Sequence, residues 1–145
     1  MANAYTWHLP DGFKDGDMVT IKGLAPIDGT VFSINFISDS DFDSSDVIFH
    51  MACRYRHDQI AFNTMNKGEN WMSEESYNQT GTLVAGKRFI ILIVLKRNRF
   101  MVTTNGTHFA TFNVRKSNTY IKYLYIKHLK TLDSEWKDRY HVYCV

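Results

Sequence analysis

The sequence predicts an all-β fold, a β-sandwich of two antiparallel sheets packed face to face, on three observations. Aromatic residues make up 14% of the 145 residues while only 2 are proline, a bias toward pleated strands. Short segments alternate apolar and polar residues between turn signals, at spacings of roughly 8–12 residues. No segment keeps a helical apolar period long enough to form a helix. The chain reads as one domain over residues 1–145, large enough for a hydrophobic core without disulfide staples.

The elements follow in order. Val19-Thr20-Ile21-Lys22 alternates and stops at Gly23, and Phe32-Ser33-Ile34-Asn35-Phe36 alternates ahead of the acidic run from Asp39 to Asp46. Phe49 to Tyr55 reads as the next strand, then Gln59 to Thr64, then the continuous apolar run Phe89 to Leu95 as a buried strand. Phe100 to Thr104 and Thr107 to Phe112 flank Asn105-Gly106, a pair suited to the two left-handed positions of a type I′ hairpin turn. Tyr120 to Leu129 alternates again, and Tyr140 to Val145 reads as a closing strand.

Charge and composition exclude several functions. The net charge is only +2, but residues 1–85 hold 5 Lys/Arg against 12 Asp/Glu (−7) and residues 86–145 hold 12 against 3 (+9). Interleaved strands bring such halves together, so mutual neutralisation is expected rather than a nucleic-acid surface. The start of the chain lacks the basic and apolar regions of a secretory signal, and its longest apolar run falls far short of the about 20 residues that span a bilayer. The expectation is a soluble cytoplasmic protein without a transmembrane segment. Cys53 and Cys144 have no metal-ligand spacing and suit a reducing compartment, with Cys53 buried.

The segment from Asp39 to Asp46 imitates the start of a calcium loop. Ser44 and His50 stand where that loop needs Gly and Glu, so a solvated acidic turn and no metal are expected. Asn78-Gln79-Thr80 and Asn105-Gly106-Thr107 match glycosylation sequons, expected unmodified without a secretory signal. No catalytic residues are expected: Glu74 and Glu75 are adjacent and face opposite ways if extended, and Cys53 faces away from His50.

The most informative stretch is Phe49-His50-Met51-Ala52-Cys53-Arg54-Tyr55. In a strand His50, Ala52 and Arg54 share one face, and Phe49, Met51, Cys53 and Tyr55 share the other. With Asn63, Trp71 and Glu74 arriving from nearby segments, the polar face has the equipment to hold a polyhydroxylated ligand. An indole offers a flat platform to a sugar's C–H face, and the other groups offer directional hydrogen bonds. Each residue also has a structural reading: His50 as a satisfied strand histidine, Trp71 as a loop anchor, Arg54 and Glu74 as a structural ion pair.

On these residues the chain resembles a galectin. That family's recognition domain carries His-x-Asn-x-Arg, then an Asn, then Trp-x-x-Glu-x-Arg. The matching positions here are His50-Met51-Ala52-Cys53-Arg54, Asn63 and Trp71-Met72-Ser73-Glu74-Glu75-Ser76. Leu9 to Gly12 and Asp15 to Gly23 resemble the family's opening, and the likeness runs from about Tyr5 to at least His128. The resemblance implies a jelly-roll sandwich and a non-catalytic binder of β-galactoside-containing glycans that needs neither metal nor cofactor. It also implies a protein made and exported without a signal peptide, and often a homodimer. It gives His50 and Arg54 bonds to galactose's axial hydroxyl, Asn63 a bond to the 6-hydroxyl, Trp71 the stacking platform, and Glu74 the task of accepting bonds and orienting Arg54.

The departures set further expectations. Ala52 stands where the family has Asn, which is expected to weaken or alter recognition of the axial hydroxyl. Ser76 replaces the second Arg and is expected to remove a contact to a second sugar and to loosen Glu74. The segment Asn66 to Asn70 is one residue longer than the family pattern, an insertion expected to shift Trp71; Arg56, His57, Lys67 or Asn70 would compensate through a different glycan. The alternative to a lectin of altered specificity is a protein-interaction or structural member of the same fold that has lost ordinary β-galactoside binding.

Overall fold

A computed structural model describes residues 3–25, 31–54, 57–79, 81–116, 120–128 and 140–144. Among the described residues eleven strands run in chain order: β1 (Asn3–His8), β2 (Met18–Leu24), β3 (Phe32–Ile37), β4 (Val47–Arg54), β5 (Gln59–Met65), β6 (Glu75–Asn78), β7 (Arg88–Lys96), β8 (Arg99–Thr104), β9 (Thr107–Asn113), β10 (Tyr123–His128) and β11 (Tyr140–Cys144). They form a six-stranded antiparallel sheet in the order β1-β10-β3-β4-β5-β6 and a five-stranded one in the order β11-β2-β7-β8-β9. The expected two-sheet sandwich is the observed architecture.

Alternation builds the core. Phe32, Ile34 and Phe36 of β3 and Phe49, Met51 and Cys53 of β4 are fully buried and face the second sheet. Phe36 stacks on Phe100 of β8 at 5.7 Å between ring centroids, Phe49 meets Phe100 at 4.8 Å, and Phe62 of β5 stacks on Phe112 of β9 at 5.8 Å. These rings join the sheets, each fully buried side chain contributing about 1.5–3 kcal/mol of transfer free energy.

Local chemistry explains the turns. Asn105 and Gly106 have φ of 49° and 86°, so β8 and β9 are joined by the two-residue hairpin turn that the pair predicts. A similar turn at Arg97 and Asn98, with φ of 53° and 60°, joins β7 to β8 without a glycine. Asn tolerates this region better than most residues, which makes the turn hard to read from sequence.

Two sequence expectations need correction or extension. The run Phe89 to Leu95 is not buried on both sides: Phe89, Ile91, Ile93 and Leu95 face the core, while Ile90 is 46% exposed and Leu92 and Val94 are half-buried. The strand forms part of a sheet with one solvated face, so continuous hydrophobicity overstates its burial. The short edge strands β1 and β6 carry no strong alternation and were not legible.

The acidic segment after β3 folds on itself. Asp41 caps a 3₁₀ turn over Phe42–Ser44, and Ser45 Oγ donates to Asp41 O at 2.7 Å. Phe42 stacks on Tyr125 of β10 at 4.9 Å, with Lys127 Nζ 5.3 Å from its centroid. Among the described residues, ion pairs from Glu75 to Arg115 at 2.9 Å and from Asp46 to Lys116 at 3.5 Å join the acidic first part of the sequence to the basic second part. Among the described residues no helix is long and apolar enough to cross a membrane.

Candidate functional site

The site starts from the face of β4 opposite the core. With Phe49, Met51 and Cys53 turned inward, His50, Ala52 and Arg54 project from the outer side of the six-stranded sheet. Strand register sets Tyr125, Asn35, His50 and Asn63 in one row across β10, β3, β4 and β5. Trp71 enters from the β5–β6 connection, where it bridges Met65, and Glu74 stands just ahead of β6. His50, Arg54, Asn63, Trp71 and Glu74 all line one open hollow of about 300 Å³, together with Met72. Clefts of about 350 and 320 Å³ open elsewhere and share none of these residues.

The protonation state of His50 follows from its neighbour. Buried Asn35 donates from Nδ2 to Tyr125 O at 3.1 Å and to Ser33 Oγ at 3.0 Å. A carbonyl only accepts, so the amide orientation is fixed and Asn35 Oδ1 faces His50 Nδ1 at 2.6 Å. That nitrogen therefore carries the proton and Nε2 keeps its lone pair toward the hollow. Burial, and next the positive charge of Arg54, lower the His50 pKa to about 4, so the imidazole is neutral near pH 7.

Arg54 is held before any ligand arrives. Its Nη2 donates to Glu74 Oε1 at 2.7 Å, and its Nη1 to Glu74 Oε2 at 3.1 Å and to Gln59 Oε1 at 2.9 Å. This fork geometry leaves Nε–H and one Nη2–H without an acceptor among the described residues. The hydrogen bonds from Arg54 hold the Glu74 carboxyl below its ordinary range, and the same pairing raises the Arg54 guanidinium. Ser76, expected to loosen Glu74 by replacing the second arginine, donates from Oγ to Glu74 Oε2 at 3.2 Å, so the hydroxyl supplies one restraint on that carboxylate.

Trp71 is 41% exposed, with its ring centroid 4.4 Å from that of His50. The longer Asn66–Asn70 segment does not carry it out of the hollow. A turn closed by Glu69 N donating to Asn66 O at 3.0 Å takes up the length, and Lys67 N donates to Asp46 Oδ1 at 2.8 Å. Asn63 is only 5% exposed and its amide is heavily engaged. Its Nδ2 donates to Met72 O at 2.7 Å, and its Oδ1 accepts from Thr64 N at 2.8 Å and Arg115 Nη1 at 3.1 Å. Ala52 is 3% exposed, between Ser33 and Ala61 in register, and presents only a methyl.

Of the suggested compensating residues, His57, Lys67 and Asn70 do not line the hollow, and Arg56 and the neighbouring Tyr55 lie outside the described residues. Sequence reasoning missed Asn35, Gln59, Met72 and Arg115. The alternation of β3 marks Asn35 as facing opposite the phenylalanines, but only the pairing of β3 with β4 sets it against His50. Among the described residues no group of three or more His, Cys, Asp or Glu is placed to hold a metal.

A two-sheet sandwich carrying imidazole, guanidinium, carboxylate and indole in one open hollow has the form of a sugar-binding lectin domain. Residues 4–134 match the model of the galactoside-binding lectin family, and the chain belongs to that family, the galectins. Galectin-4 of Homo sapiens is 31% identical over 113 residues, covering 78% of this chain and 34% of its own length. Galectin-4 of Rattus norvegicus is 29% identical over 112 residues (77% and 34%), and galectin-7 of Homo sapiens 25% over 107 residues (74% and 76%). The chain thus spans about a third of the length of the galectin-4 sequences. The structure of sheep galectin-11 in complex with glycerol superposes with a TM-score of 0.78 at 20% identity, covering 100% of this chain and 99% of that one, and shares its fold. Membership places the chain among carbohydrate-recognition domains, which bind their ligands without transforming them.

Proposed function

We propose that residues 1–145 act as one carbohydrate-recognition domain that binds galactose-containing glycans in the hollow, with weakened or altered specificity. The observation that carries this reading is the convergence of His50, Arg54, Asn63, Trp71 and Glu74 on one open surface, with Arg54 already oriented by Glu74. Trp71 serves as the stacking platform, His50 Nε2 accepts from a hydroxyl, and the spare N–H groups of Arg54 donate. Asn63, its amide largely engaged, acts mainly by holding the Trp71 segment.

Weakening is expected from magnitudes. Binding at about 100 μM corresponds to roughly −5.5 kcal/mol, and each missing polar contact costs about 0.5–1.5 kcal/mol. Ala52 removes one such contact and Ser76 shortens another, enough to make lactose binding modest. Titration with lactose, followed by tryptophan emission and calorimetry, tests the reading. A saturable response that Trp71→Ala or Arg54→Ala abolishes is the expected result.

The methyl at Ala52 and the engaged Asn63 amide favour one second reading, a protein-interaction or structural role on the same fold without ordinary β-galactoside binding. Absence of heat and of emission change with lactose and with longer oligosaccharides would select it. The buried free thiol of Cys53 supports a reducing, cytoplasmic location, and family membership supports export without a signal peptide. A homodimer belongs to the same proposal, since β1 and β6 end one sheet and β11 and β9 the other.

A further inference from the structure

Arg115 follows β9, in the sheet opposite the hollow, yet its guanidinium reaches the hollow's frame. Its Nη1 donates to Asn63 Oδ1 at 3.1 Å, its Nη2 to Glu75 Oε2 at 2.9 Å, and its Cζ lies 4.9 Å from the centroid of Phe112. Asn63 and Glu75 stand on either side of the connection that carries Trp71 and Glu74. Asn63 Nδ2 passes the restraint on by donating to Met72 O at 2.7 Å, and Met72 N donates back to Thr64 O at 3.0 Å. A short chain of bonds therefore runs from Arg115 through Asn63 to the backbone beside the indole.

We propose that Arg115 is a positioning residue for the recognition site: one guanidinium, seated on a core phenylalanine, pins both ends of the Trp71 connection to the second sheet. Two features give this a consequence separable from folding. Glu75 and Arg115 are partly exposed, so their ion pair adds little to global stability. Asn63 keeps the bond from Thr64 N when Arg115 is lost, so the amide loosens rather than collapses. Lysine does not replace arginine here, because a single ammonium lacks the planar fork that serves two separate acceptors.

The inference rests on the carbohydrate reading for its effect on affinity, but not for its effect on Trp71. The test uses the whole chain with Arg115→Ala, Arg115→Lys and Glu75→Gln. The Trp71 indole N–H signal is followed by NMR without ligand, with lactose affinity and melting temperature measured alongside. For Arg115→Ala the expected result is a shifted or broadened Trp71 signal, lactose binding weakened about three- to tenfold, and melting within about 4 °C of the parent. Arg115→Lys should recover melting more fully than affinity, and Glu75→Gln should give a smaller change in both site readouts. If Arg115→Ala does not fold, the Lys and Gln variants decide on the same readouts.

An unchanged Trp71 signal with unchanged affinity in a folded variant overturns the proposal. So does loss of affinity that only tracks loss of folded protein. If the parent does not bind lactose while the Trp71 signal still responds to Arg115, the carbohydrate reading fails and the positioning role stands. If neither responds, both fall.

Discussion

Replacing His50 by glutamine should flatten the acid limb of the stability profile, and the structure sets the size of the effect. Above its ordinary value of 6.5 the imidazole is neutral in folded and unfolded chains alike. As pH falls through 6.5 the unfolded chain takes up a proton, whereas the folded chain, with its pKa lowered to about 4 chiefly by burial, does not. The unfolded state then binds more protons, so stability falls with pH across this window and the slope ends near 4. At about 1.4 kcal/mol per pH unit of separation the whole loss comes to about 3 kcal/mol, of which about 2 kcal/mol falls between pH 6.5 and about 5. That upper stretch isolates the imidazole, because Glu74, held below its ordinary 4.5 by Arg54, contributes only at lower pH. Urea unfolding of the parent and His50→Gln at several pH values measures the difference. Curves that stay parallel within about 0.5 kcal/mol from pH 7.5 to 5 would refute both the low pKa and the Asn35-locked neutral imidazole.

Other predictions follow from the same geometry. Glu74→Gln breaks the charged fork that orients Arg54 and should weaken lactose binding about tenfold by calorimetry, with little change in melting because the pair is partly exposed. Ala52→Asn adds a polar group beside His50 and should tighten lactose binding about threefold or more; an unchanged or weaker constant in a folded variant would show that the missing amide does not limit affinity. Cys53 is fully buried with its thiol pushed up by burial, so a thiol reagent should modify it only at the rate of unfolding, and rapid native labelling would contradict its placement.

Much of the fold was legible because its signals are local. Asn105-Gly106 specifies its own turn, and alternation in β3 and β4 separates core from outer face within a few residues. The β7 run misled because a strand with one solvated face can still be apolar throughout, as Ile90, Leu92 and Val94 show. The same division applies to the site. His50 and Arg54 announce themselves by sharing one strand, and Trp71 and Glu74 lie close in sequence. Asn35 and Arg115 act across pairings between distant segments, 15 residues from His50 and 52 from Asn63, and no local pattern encodes those separations. Ser76 shows the opposite limit: the residue type suggests only a lost arginine, while in the folded chain its shorter side chain donates to the Glu74 carboxylate.

The bond between Asn35 and His50 has a chemical corollary for selectivity. An imidazole that can only accept, set beside a guanidinium that can only donate, imposes directionality on whatever oxygen lies between them. A free alcohol satisfies both, giving its hydrogen to one and a lone pair to the other. An ether oxygen, whether methylated or already engaged in a linkage, has no hydrogen to give and leaves the imidazole facing a second acceptor. On the proposed carbohydrate reading, such a pair would discriminate by capping state and favour sugars whose bridging hydroxyl is unsubstituted.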